Sequence, residues 1–146
     1  ARDLDQRQLT QLANAAWAAG LHLLLEGKPD ESQEWLRSAA VLAHARRYFP
    51  DYELAPASLD PAQFGDCSEE LREYFAHVLL DFAAADSDMI DLAVGHALRW
   101  ADELGLHPQF ESAARRELEL SAKELDALRD RFPALAERAR SEEASP

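Results

Sequence analysis

Apolar residues recur at spacings of three and four along most of the chain, and that period commits it to amphipathic helices. Between Asp5 and Gly27 the stripe is Leu9, Leu12, Ala13, Ala16, Trp17, Gly20, Leu21 and Leu24. Gly27-Lys28-Pro29-Asp30 breaks it, and Asp30 with Gln33 three residues on forms a capping-box-like start for a second helix carrying Trp35, Leu36, Ala39, Leu42 and Ala43. Arg46 and Arg47 close that helix, where cations suit the dipole. A third helix is predicted from about Glu69 to Ala85 on Leu71, Tyr74, Phe75, Val78, Leu79 and Phe82. Asp86-Ser87-Asp88 turns the chain into a fourth, with Ile90, Ala93, Val94, Ala97, Ala101 and Leu104, stopped by Gly105-Leu106-His107-Pro108.

The remainder is helical and less apolar. Phe110, Ala113, Ala114 and Leu118 mark one helix, and Ser121 with Glu124 caps another through Leu125, Leu128 and Phe132, which Pro133 either ends or redirects. The expected fold is all-α: two helical hairpins and two C-terminal packing helices, about six helices in total, with no sheet. Its expected bounds are one domain over 1–140, with hairpin 1 at 5–49, a Pro-rich crossover at 50–68, hairpin 2 at 69–106 and C-terminal helices at 108–140. A short turn is expected from Asp60-Pro61, and 141–146 has the composition of a disordered tail.

The net charge of −13 is unevenly spread. Residues 1–50 hold six acids and six bases, residues 51–103 hold thirteen acids against Arg72 and Arg99, and residues 104–146 hold nine acids against seven bases. A field of this sign repels phosphate backbones and anionic lipid, so a basic protein partner fits, and nucleic acid and membrane do not. A polar N-terminus without a signal-peptide core, and Cys67 as the single cysteine, favour the cytoplasm.

Shifting the chain by 58 residues lays Trp17 on Phe75, Leu21 on Leu79, Leu24 on Phe82, Asp30 on Asp88, Leu36 on Val94 and Ala39 on Ala97. The hairpins therefore read as one unit used twice. Gly20, Gly27, Ser32 and Ala39 place small residues where a tetratricopeptide repeat has them, so residues 13–46 resemble that family. Leu36 stands where the family often has an aromatic, the closing proline is displaced to Pro50, and 71–104 match fewer positions, with Val78 in place of the small residue. The resemblance implies a protein-binding scaffold without catalysis. A small, acidic helical chain is also similar to immunity proteins that neutralise bacterial toxins.

Three constellations invite chemistry. Glu73, His77 and Asp81 form a polar ridge at successive i, i+4 spacings; a metal site needs three convergent ligands, and His96 or Asp88 would have to complete it, so a solvated face is the simpler expectation and no metal is assigned. Asp86, Ser87, Asp88 and Asp91 resemble a calcium loop but lack its central Gly and bidentate Glu, so they read as helix-capping acids. Cys67 lies among Asp66, Glu69 and Glu70, which disfavour a thiolate. There is no Gly-x-Ser-x-Gly, Gly-rich phosphate loop or His-Glu-x-x-His, so no catalytic residue or cofactor is assigned.

The leading expectation is a non-enzymatic interaction domain whose Glu69, Glu70, Glu73, Asp81, Asp86, Asp88 and Asp91 contact a basic partner. The alternatives are a helical enzyme or metal protein using the Glu73, His77 and Asp81 ridge, and a self-associating subunit, a homodimer. Trp17, Trp35 and Trp100 are expected in the core, with a partner groove as the alternative for Trp35; His22 and His44 are expected half-buried.

Overall fold

The computed structural model describes residues 5–46, 54–55, 61–64 and 66–144. Among these, six α-helices form and no strand does: α1 (Gln6–Leu25), α2 (Pro29–Arg46), α3 (Glu69–Asp86), α4 (Ile90–Leu104), α5 (His107–Leu118) and α6 (Ala122–Ala144). The all-α, six-helix expectation holds.

Local sequence sets the helix ends. Asp5 and Gln8 make a reciprocal capping box on α1, and Ser68 caps α3 through the Leu71 amide at 3.1 Å. The predicted Ser121 and Glu124 box forms at the start of α6. Gly105 sits at φ 75° after α4, where its missing Cβ permits the left-handed stop. The start of α2 differs from expectation. Pro29 is its first residue, a position where the missing proline N–H costs nothing, so Asp30 lies inside the first turn and is not the cap.

α1 packs along α2, α2 along α3 and α3 along α4, while α5 lies on α3 and α6 on α4. Aromatic rings run through these contacts. Phe64 of the crossover meets Phe75 at 4.9 Å; Trp17 meets Phe75 at 5.3 Å and stacks on Phe82 at 4.4 Å; Phe82 meets Trp100 at 6.1 Å. α4 is central, with residues 92–98 all buried, because α3, α5 and α6 cover it from different sides. Gly20 and Gly95 mark the closest approaches: a Cβ at Gly20 would lie 2.7 Å from Leu36 Cδ2, and one at Gly95 would overlap the Phe132 ring. Ser32 also donates to the Gly20 carbonyl at 2.7 Å, which closes the first hairpin.

Of the crossover, a 3₁₀ turn at Pro61–Phe64 matches the expected short turn, and the Arg72 guanidinium donates to the Phe64 carbonyl at 2.8 Å. Residues 47–53, 56–60 and 65 lie outside the described residues, and with them Arg47 and the end of the expected first hairpin. α6 runs through Pro133, which neither ends nor restarts it, and on to Ala144, so 141–144 are helical where a disordered tail was expected. Ala136 and Ala139 are buried with Leu92 and Phe132, and that contact holds the helix to α4. Residues 145–146 lie outside the described residues. Trp17 and Trp100 are core residues as expected, whereas Leu12, Trp35, Tyr74 and Ile90 are exposed at the edges of their stripes. His22 and His44 are exposed as well.

Candidate partner-binding cleft

Along α3, Glu70, Glu73, Tyr74, His77 and Asp81 follow the three-and-four spacing of a single helix face. α2 lies on one side of this face and α5 on the other. Between α2 and α3 opens a cleft of about 280 Å³, with Trp17, Leu36, Val78 and Phe82 among its apolar lining and Gln33, Arg37, Tyr74, His77 and Asp81 supplying its polar groups. The Trp17 indole N–H is buried and has no acceptor among the described residues. Between α3 and α5 lies a second depression, also about 280 Å³, lined by Glu70, Glu73, Tyr74, His77, Arg116 and Glu117. Tyr74 and His77 belong to both, so the two hollows form one groove.

His77 is held from both sides. Its Nε2 lies 3.3 Å from Asp81 Oδ2 and its Nδ1 3.5 Å from Glu117 Oε1. Burial pushes the Asp81 carboxyl above its ordinary range; His77 acts against that shift and Glu117 adds to it. Arg116 reaches Glu117 at 3.8 Å. The groove thus grades from an apolar floor to an acidic end with four carboxylates and one arginine, counting Asp81 on its border.

The seven acids expected to contact a partner are not all brought together. Glu70, Glu73 and Asp81 line the groove. Glu69 instead accepts from the Gln109 amide at 3.0 Å and so ties α3 to α5. Asp88 and Asp91 are exposed near the start of α4, with Asp91 3.9 Å from Arg131. Asp86 is a correction. Its carboxylate is turned inward to Arg46 Nε at 3.1 Å, with the two side chains 5% and 1% exposed, so it presents no surface charge to a partner.

The metal reading of the ridge gains no third helix-four ligand. His96 packs between Trp100, at 5.6 Å, and Phe132, at 4.9 Å, at the α4–α6 contact. Among the described residues no group of three or more His, Cys, Asp or Glu is arranged to hold a metal ion. Sequence reasoning missed Tyr74, Arg37 and Glu117 as groove residues. Tyr74 carried a signal, because it follows Glu73 at the border of the apolar stripe and has a phenol that favours a wet edge. Glu117 carried none, since its approach to His77 depends on how α5 docks.

Comparison with protein-family models, with curated proteins and with solved structures found no match. Among the described residues no helix is long and apolar enough to cross a membrane.

Proposed function

We propose that this chain is a non-enzymatic protein-interaction domain of tetratricopeptide-like hairpins, and that the groove along α3 receives a basic protein partner. The observation that carries the reading is the convergence of Glu70, Glu73, Asp81 and Glu117 around the exposed Tyr74. Clustered acids of one sign accelerate encounter with a basic surface, and an exposed aromatic among them offers contact area at low entropic cost. The repeat-like pairs support the hairpin reading, since Trp17 and Phe75, Leu21 and Leu79, Leu24 and Phe82, Leu36 and Val94, and Ala39 and Ala97 are all buried. An immunity-type inhibitor is one form of this function, in which the domain blocks a basic toxin by occupying its active site.

The test is affinity capture with the native chain and with Glu73→Lys/Asp81→Lys, followed by association kinetics on the proteins that the variant loses. Those proteins should be basic, and the variant should slow their on-rate at low salt with little change in off-rate. A lost partner that is neutral or acidic, or an unchanged on-rate, would count against the reading.

A second reading is favoured by one observation. Trp35 and Val41 stand 48% and 64% exposed on α2, in the electrically neutral hairpin, where a second copy meets no net repulsion. Light scattering that shows only monomer removes it.

A further inference from the structure

The groove has two unlike ends, and the difference specifies more than a charge preference. The α2–α3 cleft is floored by Trp17, Leu36, Val78 and Phe82, whereas the α3–α5 depression is walled by Glu70, Glu73 and Glu117, with its arginine already paired to Glu117. Each cleft, at about 280 Å³, falls just below the usual small-molecule range of roughly 300–1,000 Å³, so each suits one side chain. We infer that the groove binds a short segment of a basic protein, seating one bulky apolar side chain between α2 and α3 and a lysine or arginine of the same segment between α3 and α5. This rests on the acidic-face reading and adds the anchor to it.

The two hollows flank α3 on opposite sides and share Tyr74 and His77, so one short segment laid across the helix reaches both. Charge complementarity selects the basic member: the stretch from 51 to 103 that supplies α3 holds thirteen acids and two bases.

Two fluorescein-labelled synthetic peptides test this by anisotropy at low ionic strength: GSKGWGKSG and its tryptophan-to-serine counterpart GSKGSGKSG. The first should bind roughly ten-fold tighter than the second, as expected for partial burial of one indole. Ala40 of α2 also lines the α2–α3 cleft; Ala40→Phe, which fills that wall, should erase the difference and spare the serine peptide, and Glu70→Gln/Glu73→Gln should weaken both. Tyr74→Ala, at an exposed position that does not threaten folding, should also reduce the tryptophan preference. Equal binding of the two peptides, or a preference indifferent to both Ala40→Phe and Tyr74→Ala, overturns the anchor and leaves the acidic face standing. Binding of the serine peptide that ignores both salt and the Gln variants overturns the acidic face itself.

Discussion

Arg46 at the end of α2 and Asp86 at the end of α3 meet at 3.1 Å inside the protein, and Arg46 also donates to the Thr10 hydroxyl of α1 at 3.1 Å. One guanidinium thus joins three helices. Removing a single member of such a pair strands a charge, a loss of about 3–5 kcal/mol, whereas replacing both with apolar residues is commonly neutral or stabilising. Arg46→Ala should lower stability by that amount in urea unfolding, and Arg46→Met/Asp86→Leu should recover most of it. A loss below about 1 kcal/mol for Arg46→Ala would mean that the pair is solvated.

Asp86 and His96 should give the protein opposing pH responses. Burial pushes the Asp86 carboxyl up to about 6 against the pull of Arg46, so the native state holds a proton that the unfolded chain has released between about 3.8 and 6, and stability falls as pH rises through that window. Burial first, then Arg99, Arg46 and Arg140, push the His96 imidazole down to about 4. The unfolded chain therefore binds the extra proton between about 4 and 6.5, and stability falls as pH drops. Each window is worth about 3 kcal/mol at roughly 1.4 kcal/mol per unit, so the two nearly cancel. Relative to the native chain, Asp86→Asn should lose stability more steeply on acidification from pH 7 to 4, and His96→Leu should gain. Parallel melting curves for all three proteins across that range would refute the assignment.

These two residues also show where the sequence stopped speaking. Helix periods, the Ser121 box and the Gly105 stop are local signals, and the folded chain obeys them. Arg46 read equally well as a dipole-complementing end charge and Asp86 as a turn acid, because burial of either depends on which helix lies opposite. The groove was legible in part for the same reason. Glu70, Glu73 and Asp81 share a face by spacing alone, whereas Arg37 and Glu117 reach it only through the packing of α2 and α5. Trp35 and Leu12 obey the apolar period and still face outward, since three-and-four spacing defines a stripe without fixing its edges.

Gly95 sets how closely α6 can approach α4. A methyl group there would overlap the Phe132 ring, over which Arg99 also sits at 5.2 Å. Gly95→Ala should destabilise by about 1–3 kcal/mol through overpacking, against a gain of up to about 1 kcal/mol in helix propensity. Phe132→Ala alone should cost about 3–5 kcal/mol, and the double variant less than the sum, because the shortened side chain leaves room for the new methyl. Strict additivity in a double-mutant cycle would show that the two positions do not touch.

Glu69 separates positioning from contact. It was expected to meet a partner, yet both its carboxylate oxygens lie within 3.2 Å of the buried Gln109 amide, an arrangement that holds α5, and with it Glu117, against α3. Glu69→Ala should therefore cost about 1.5–3 kcal/mol, the usual range for a hydrogen bond to a charged group, and should lower hydrogen-exchange protection in α5. Glu69→Gln removes the same charge and keeps an acceptor, so α5 should stay protected. Binding of the GSKGSGKSG peptide provides the comparison: Glu69→Ala should weaken it by loosening Glu117, and Glu69→Gln should leave it nearly intact. Equal weakening by the two variants, with α5 protection unchanged, would return Glu69 to the role of a direct charge contact.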